Sequence, residues 1–570
     1  MPFELQDLDY DALYVVPLGG QSEVGLVSWL FIHQGKLLIV DAGASYPAHK
    51  LPGVDLLLPS TAFLETNQEN ILALAMTNGH EEHSGAVAYI CQHVKLPRIL
   101  APRFVSALIG QGAYDLYQSN GENIPPVEAV SSKTEYKVGP FTLEWIDCNN
   151  SVADASALRI SCQAGTVLYT SSFKIDQTPI DGKMLDIARF ASIGDSGVML
   201  FISSSANVEE EGYSKSERLV AGRLTKLASE SEGRLVVVMP ATNTDRLKVL
   251  FDVARLSGRK VFLQGDTLHK VAVSAAITGH LQYDRALEGK LSELANEPDK
   301  NVLVIASSTE ADPMYVFEAL ARDTHTAISL KAGDTLIFSS DIVPGQARRM
   351  AHILDELLAK NIPCCWGSRQ LVHASRYGAK EELKLMLSIA KPRYFAPAIG
   401  EARHITKHAE LAPYFNLAEE QIFKLGNGEV LELKNGIASP CGKIESQSVL
   451  FNRDQGERVT TASVNERRAL SLEGVLTIGL TVSKELALVS GPTLDYGAAG
   501  FLLSDDWEKL KDEIVLVAAE VAERIRQERH RDQRDSLPYL RSAVRESTVK
   551  LLRSRLSAKP TVQVLVHQLN

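Results

Sequence analysis

The sequence predicts an α/β protein with a sandwich of β-sheets, an inserted parallel α/β domain and a small α+β domain near the C-terminal end. Three observations support this prediction. Strand-like runs dominate the first 217 residues, strands alternate with helices after residue 217, and two helical segments precede a last strand. A chain of 570 residues is also too long for one hydrophobic core, so several domains are expected.

The composition is typical of a soluble, folded protein, with 45% hydrophobic and 23% charged residues. The net charge of -11 means that binding to nucleic acid would need a local basic patch, because the overall field repels phosphate. The six cysteines lack ligand spacing, which predicts reduced thiols. We see no secretion signal and no long apolar stretch, so we expect a cytoplasmic protein without membrane partners.

The first region is predicted to consist of packed sheets. Apolar runs separated by glycine turns between residues 14 and 41 are typical of a β-meander. More strand-like runs follow, at 71–76, 98–101, 141–146, 166–169 and 198–203. Few helical segments lie between them, which favours a sandwich of sheets.

The rhythm changes to alternating strands and helices after residue 217. Predicted strands at 234–239, 260–263 and 301–306 enclose predicted helices at 245–257 and 268–278. This alternation is typical of a parallel α/β unit.

The last part of the chain is predicted to be a separate small domain. The segment 446–468 is polar and weakly periodic, so we interpret it as a linker. An amphipathic helix is predicted from Trp507 to Ile525, behind the cap Ser504-Asp505-Asp506. A second helix at 536–556 and a strand at 561–566 complete this domain.

The residues that suggest chemistry lie in the loop after the strand that ends near residue 76. This loop contains Asn78-Gly79-His80-Glu81-Glu82-His83. Imidazole and carboxylate groups are natural ligands of zinc-like ions. Two histidines three residues apart with a glutamate beside them are weak evidence by themselves, and taken alone they favour a solvated loop.

The flanking motifs resemble the ribonuclease J family. They occur in order along most of the chain, as Pro17-Leu18-Gly19-Gly20, Glu23-Val24-Gly25, Val40-Asp41-Ala42-Gly43, Gly53-Val54-Asp55-Leu56, Phe173-Lys174-Ile175-Asp176-Gln177-Thr178-Pro179, Gly212-Tyr213, Ser216-Glu217, Gly333-Asp334-Thr335, Pro392-Arg393-Tyr394-Phe395-Ala396-Pro397, Gly400-Glu401-Ala402-Arg403-His404 and Gly500-Phe501. The resemblance implies a metallo-β-lactamase αββα sandwich with an inserted β-CASP parallel α/β domain and a small α+β C-terminal domain.

The resemblance also implies a division of the chain. The metallo-β-lactamase domain would occupy 1–217 and close with 365–445, and the β-CASP domain would occupy 218–364. The linker at 446–468 would lead to a C-terminal dimerisation domain at 469–570.

Departures from the family pattern fall on the implied metal ligands. One ion would be held by positions 78, 80 and 150, the other by 82, 83 and 399, with position 172 bridging both. Amide, alkyl and hydroxyl groups replace four of these ligands, at Asn78, Asn150, Ile399 and Ser172, and only His80, Glu82 and His83 persist. Such ions usually need about three or four protein ligands, so we expect no cofactor, and zinc or another divalent metal only if the site is occupied after all.

Accessory positions depart from the family in the same way. Ser204 stands where the family has an acidic residue, and Tyr377 stands at the second histidine of the H-x-S-G-H motif. The segment from Ser307 to Pro313 replaces a glycine-rich loop. Without two metals there is no activated hydroxide to attack phosphorus, so we interpret the chain as a degenerate paralogue and a pseudoenzyme.

Three functions are compatible with these observations. The first is a non-catalytic or regulatory subunit in RNA decay or maturation, acting as a homodimer or as a heteromer with an active ribonuclease J paralogue. The second is a stand-alone RNA or nucleotide-binding protein that uses His373, Ser375 and Arg376, at positions where the family binds an RNA end. Five further arginines would either form a basic rim that helps to bind RNA or be ordinary surface charges: Arg348, Arg349, Arg369, Arg393 and Arg403.

The third function is a residual metal-dependent 5'-3' exoribonuclease or endoribonuclease. Its single ion would be held by His80, Glu82 and His83, completed by water or by a neighbouring acid such as Glu81 or Asp176. The competing hypothesis for the two histidines is a metal-free polar cluster, in which they hydrogen-bond with the replaced ligand positions Asn78, Asn150 or Ser172.

Overall fold

The computed structural model describes residues 4–47, 51–115, 124–307, 313–342, 346–453, 455–495, 507–529, 536–556 and 560–569. The chain divides into two compact units. The first comprises Met1–His49 and Asp55–Arg458, and the second Lys50–Val54 and Val459–Asn570.

The first region of unit one is rich in strands. Its elements are β1 (Leu13–Gly19), β2 (Gln21–Ser22), β3 (Ser28–His33), β4 (Lys36–Val40), β5 (Leu56–Leu58), α1 (Ala62–Thr66), β6 (Ile71–Ala75), α2 (Glu81–Ser84), α3 (Val87–His93), β7 (Ile99–Pro102), α4 (Arg103–Gly110), β8 (Val127–Val130), β9 (Glu135–Val138), β10 (Phe141–Asp147), β11 (Ser156–Cys162), β12 (Gly165–Tyr169), α5 (Ile187–Ser196) and β13 (Leu200–Ser204). The predicted meander is confirmed, because β3 pairs antiparallel with both β1 and β4.

The inserted region alternates strands and helices. Its elements are α6 (Glu217–Glu230), β14 (Leu235–Val238), α7 (Thr244–Ser257), β15 (Lys260–Gln264), α8 (Asp266–Thr278), β16 (Glu288–Gly289), β17 (Val302–Ala306), α9 (Pro313–Ala321), β18 (Thr335–Phe338), α10 (Ala347–Ala359) and β19 (Cys364–Trp366). Its strands form a sheet in the order β16-β15-β17-β14-β18-β19. Every pairing in that order is parallel, as predicted. The sheet reaches Trp366, slightly past the predicted boundary at 364.

The closing region returns to the sandwich. It contains α11 (Lys380–Ala390), β20 (Tyr394–Ala398), β21 (Gly400–Glu401), α12 (Ala402–Ala409), β22 (Glu429–Lys434), β23 (Ile437–Lys443), β24 (Val449–Asn452) and β25 (Glu457–Val459). In the described chain, one sheet has the order β23-β22-β1-β3-β4-β6-β7-β8 and the facing sheet has the order β20-β13-β12-β11-β10-β9. The closing strands therefore join sheets begun near the N-terminal end.

The two sheets pack face to face and carry helices on their outer faces. Val15 and Phe31 of the first sheet share a core with Leu143 and Leu158 of the second. The outer face of the first sheet packs against α3 and α4, and that of the second against α5 and α11. Every residue of β1 and β3 is buried, because successive side chains of a strand point to opposite faces and both faces are covered. This is the predicted αββα sandwich.

The prediction of a linker over 446–468 does not hold. Strand β24 pairs antiparallel with β5, and Phe451 is buried in the core. The apolar run at Val449-Leu450-Phe451 is too short to show a period, and its partner strand lies almost 400 residues earlier in the sequence.

The second unit is a two-layer α+β domain. Its elements are α13 (Thr461–Glu473), β26 (Val475–Val482), β27 (Leu488–Asp495), α14 (Trp507–Arg529), α15 (Ser536–Arg555) and β28 (Thr561–Gln568). Strand β26 lies between β27 and β28, and α14 and α15 pack on one face of this sheet. Both predicted helices and the last strand are confirmed, whereas the predicted cap at 504–506 and the Gly500-Phe501 motif lie outside the described residues.

None of the helices within the described ranges combines the length and the apolar character needed to cross a bilayer. All six cysteines are free, as the sequence predicts.

Candidate functional site

The predicted loop lies at the C-terminal end of β6, where the strand of the first sheet gives way to α2. Asn78 and His80 precede the helix, and Glu82 and His83 lie in its single turn. All four side chains are buried. The loop is therefore part of a polar cluster inside the protein and is not a solvated surface segment.

His80 has a hydrogen-bond partner at each ring nitrogen. Its Nδ1 lies 2.7 Å from Thr242 Oγ1, and its Nε2 lies 2.9 Å from Asn150 Oδ1. Asn150 donates its amide N–H to the Ser172 carbonyl at 2.8 Å, so the Asn150 oxygen accepts the hydrogen bond from His80 Nε2. The other ring nitrogen of His80, Nδ1, then accepts from the hydroxyl of Thr242. Burial, reinforced by the Arg376 charge, lowers the pKa of His80 to about 3, so the ring is neutral.

His83 is held between an acid and a hydroxyl. Its Nδ1 donates to Asp41 Oδ2 at 2.8 Å, and its Nε2 donates to Ser172 Oγ at 2.6 Å. Burial alone would lower the pKa of His83, but Asp41 and Glu82 outweigh burial and raise it to about 9. A doubly protonated imidazole has no lone pair to offer a metal ion.

Glu82 accepts hydrogen bonds from three side chains. Arg376 donates to its Oε2 at 2.7 Å, Tyr377 donates its hydroxyl to the same oxygen, and Ser172 donates to Oε1 at 3.1 Å. Burial alone would raise the pKa of Glu82, but the Arg376 cation and the neighbouring histidine hold it well below its usual value. A guanidinium group thus supplies the positive charge beside this carboxylate.

The remaining ligand positions offer weak donors or none. Asn78 accepts the His80 backbone N–H at 2.9 Å through its amide oxygen. The side chain of Ile399 lies in the sandwich core, and its backbone has a φ of 53°, a left-handed conformation that β-branched residues rarely adopt. Ser172 is already used by both Glu82 and His83.

These side chains do not fit a centre of two metal ions. A zinc-like ion needs free lone pairs on about three or four protein ligands. Here His80 Nδ1 and both oxygens of Glu82 accept hydrogen bonds, and His83 donates from both ring nitrogens. Across the described ranges, no group of three or more His, Cys, Asp or Glu side chains is arranged to hold a metal ion. The hypothesis of a polar hydrogen-bonded cluster describes these contacts, since His80 contacts Asn78 and Asn150, and His83 contacts Ser172.

The two acids suggested as extra ligands have other partners. Glu81 accepts a hydrogen bond from the hydroxyl of Tyr46. Asp176 accepts the backbone N–H of Thr178 at 2.9 Å and lies 3.7 Å from Lys174 Nζ.

The accessory positions are buried beside the cluster. Ser204 is 3% exposed, and its hydroxyl has no hydrogen-bond partner among the residues that the structure describes. Tyr377 is 7% exposed and bonds Glu82, as described above. Residues 308–312 of the segment that replaces the glycine-rich loop lie outside the described residues.

The predicted phosphate-binding residues already have partners within the chain. Arg376 is bonded to Glu82 and Tyr377, and His373 Nε2 lies 2.8 Å from Asp341 Oδ1. Ser375 accepts the Tyr377 backbone N–H at 3.2 Å. Phosphate binding by these three residues remains a prediction.

A cleft of about 310 Å³ opens between the sandwich and the inserted domain beside this cluster. Arg376 is its single lining arginine or lysine in the described chain, and five acids line it: Glu23, Glu81, Glu82, Asp341 and Glu401. None of the five arginines of the predicted basic rim is among its lining residues. Two of them pair with acids, Arg349 with Glu318 and Arg403 with Glu209. The cleft is therefore acidic.

Sequence reasoning missed three partners that determine this site. They are Thr242, which bonds His80, Asp41, which bonds His83, and Arg376 in its role beside Glu82. Asp41 lies in a motif quoted for the resemblance, which could have indicated it. Thr242 and Arg376 come from distant segments, and no local spacing predicts such contacts.

Comparisons with known proteins agree with the fold. Family models described as "Ribonuclease J, beta-CASP domain" and "Ribonuclease J C-terminal domain" match residues 232–357 and 462–569. A ribonuclease J from Synechocystis sp. is 30% identical over 485 residues, which cover 84% of this chain and 74% of the relative. One from Sinorhizobium meliloti is 29% identical over 566 residues, covering 98% and 97%.

A solved structure supports the fold alone. It is a protein of unknown function from Enterococcus faecalis, with a TM-score of 0.50 and 15% sequence identity. The match covers 74% of this chain and all of that chain.

The sandwich, the inserted parallel domain and the C-terminal domain define a metallo-β-lactamase fold protein with a β-CASP insertion. The extent and identity of the matches then specify the family: the chain belongs to the ribonuclease J family of RNA-processing proteins.

Proposed function

We propose that this chain is a catalytically inactive member of the ribonuclease J family that serves as a non-catalytic or regulatory subunit in RNA decay or maturation. It would work in the cytoplasm, paired with itself or with an active ribonuclease J through the C-terminal domain. Oligomers of like chains commonly use isologous contacts, so a chain that keeps the family's assembly surface can replace an active copy.

One observation carries this proposal: every metal-capable donor left at the ligand positions is already bonded within the protein. Both nitrogens of His80 and His83 and both oxygens of Glu82 have partners. Metal-assisted hydrolysis needs an ion that activates water and stabilises charge on the phosphoryl group. Side chains arranged in this way support a structural role for the cluster.

A nuclease assay tests the inactive state. The chain is incubated with 5'-monophosphorylated RNA in magnesium, manganese or zinc, beside the Sinorhizobium meliloti ribonuclease J as the comparison enzyme. We expect no degradation above a no-protein control. Metal-dependent decay that persists after repeated purification and disappears on chelation would overturn the proposal.

Affinity purification of the tagged chain from its own cells tests the subunit role. We expect an intact ribonuclease J, or a second copy of this chain, to copurify in a stable complex. A chain that elutes as a monomer and still binds RNA would instead support the stand-alone RNA-binding function.

A further inference from the structure

Helix α15 carries a cationic surface that the site described above does not involve. It has five cationic residues and one acid over twenty positions, in a chain with a net charge of -11. All five cations are exposed, and we call the four that have no acidic partner the α15 basic face: Arg541, Arg545, Lys550 and Arg553. Such a local excess of charge is needed for an acidic protein to attract a polyanion.

The packing of the helix keeps this face open to solvent. Leu540, Val544 and Leu552 are buried against the sheet of the second unit. Their spacing of four and eight residues places them on one side of the helix, so the exposed cations occupy the remaining surface. The fold therefore presents these charges on a rigid element.

The cations of the α15 basic face have no acidic partners within the described residues. Arg555, the fifth cation of the helix, pairs with Glu513 at 3.0 Å, but no ion pair or hydrogen bond engages the side chains of the other four. The one acid of the helix, Glu546, accepts a hydrogen bond from Ser542 at 3.0 Å.

The face has the dimensions and composition of a surface for a nucleic-acid strand. Arg541 and Arg553 are about 18 Å apart along the helix axis, and the four cations spread over about half of the helix circumference, since Arg541 and Lys550 are about two and a half turns apart. A shallow groove brings three of the cations together with one acid; it is lined by Arg545, Glu546, Val549, Lys550 and Arg553. Tyr539 is 57% exposed and lies about three helical turns from Lys550 on the same side, in position to stack on a base.

We propose that the α15 basic face binds the phosphate backbone of single-stranded RNA. This inference rests on the proposed function, which makes RNA the polyanion that the chain meets. The acidic cleft is the less favourable surface for phosphate, because five carboxylates line it. A second copy of the chain is a poor occupant, since an isologous contact through this face would place cations against cations.

The test measures binding of the full chain to a fluorescently labelled single-stranded RNA by anisotropy, in EDTA, over a series of salt concentrations. The variant Arg545→Gln/Lys550→Gln/Arg553→Gln should bind roughly tenfold or more weakly at about 0.1 M salt, and its salt slope should fall by about 2, since each phosphate contact on a single strand contributes about 0.7. Thermal unfolding should be unchanged, because these side chains make no contacts that support the fold.

The matched control is Lys226→Gln/Arg255→Gln/Lys391→Gln. These cations are 64%, 61% and 62% exposed, and each pairs with an acid. The control changes the net charge by the same amount and should bind RNA like the unmodified chain.

Three outcomes would overturn the inference: no RNA binding by the unmodified chain, unchanged binding by the α15 variant, or an equal loss in the control. Stronger binding of poly-glutamate than of RNA at equal charge would assign the face to an acidic protein and would also overturn it. The proposed function fails by a different result, metal-dependent RNA hydrolysis, which the EDTA in this assay prevents.

Discussion

Two arginine–glutamate pairs in the first unit look alike and differ in what surrounds them. Arg246 and Glu217 are both fully buried, with contacts from Arg246 Nη2 to both carboxylate oxygens at 2.9 and 2.7 Å. Arg376 and Glu82 are 23% and 6% exposed, with one contact at 2.7 Å. The Arg246–Glu217 pair is therefore the more buried of the two and has the more hydrogen bonds between its members.

The other N–H donors of the two arginines also differ in whether they have partners. Arg246 also donates to the Val372 carbonyl at 3.0 Å, so it joins the inserted domain to the closing region. Arg376 Nε has no hydrogen-bond partner in the part of the chain that the structure describes. We infer that the Arg246 pair is required by the fold, whereas Arg376 supplies the positive charge beside Glu82 at an implied ligand position.

The largest effect is expected for Arg246→Met. Removing one partner of a buried ion pair leaves an uncompensated charge and costs about 3–5 kcal/mol, so the midpoint of thermal unfolding should fall sharply. Arg255→Met on the same helix is the matched control, because Arg255 pairs with Asp252 while both are more than half exposed. That exposed pair should contribute about 0–1 kcal/mol. Similar losses of stability in Arg246→Met and Arg255→Met would contradict the claim that the fold requires the buried pair.

A smaller effect is expected for Arg376→Gln. Glu82 keeps the hydroxyl donors of Ser172 and Tyr377, so the free energy of unfolding should fall by about 1–3 kcal/mol. Denaturant unfolding gives the value, with Tyr377→Phe as the companion variant that removes one neutral donor. A loss as large as that of Arg246→Met would show that both pairs serve the fold equally.

The smallest effect is a pH dependence. Burial alone would raise the pKa of Glu217, but Arg246 outweighs burial and holds it below its usual value. The carboxylate therefore contributes stability that is present above about pH 4.5, the ordinary value for the unfolded state, and is lost as the pH falls below it.

In Arg246→Met the main group that opposes the effect of burial is gone, so the pKa of Glu217 rises and protonation then stabilises the folded variant. The gap in unfolding midpoint between the unmodified protein and Arg246→Met should narrow as the pH falls from 7 towards 4. A gap that stays constant or widens would contradict the assignment of the loss to an unpaired Glu217.

The fold could be predicted to a large extent because its signals are local. Apolar runs separated by glycine turns predicted the meander, and the alternation of strands and helices predicted the parallel domain. Strand β27 was missed because its Gly491-Pro492 dipeptide resembles a turn. Strand β24 was missed because its partner lies in a distant part of the sequence.

The site could be predicted only where a motif identified a position. The substitutions at positions 78, 150, 172 and 399 were visible in the sequence, but their consequences were not. Arg376 was assigned to phosphate binding because it follows His373 and Ser375, whereas the structure places its guanidinium group on Glu82. Contacts that join residues almost 300 positions apart depend on the tertiary fold, and spacing along the chain does not encode them.

The most direct test of the central claim is the metal content of the unmodified protein. The chain is purified without chelator, incubated with zinc, manganese and magnesium, separated from free ions and measured by elemental analysis. We expect metal well below one equivalent per chain, because His80 and Glu82 accept internal hydrogen bonds and His83 donates from both ring nitrogens. Two tightly bound ions per chain, lost when His80 and His83 are replaced by alanine, would contradict the account.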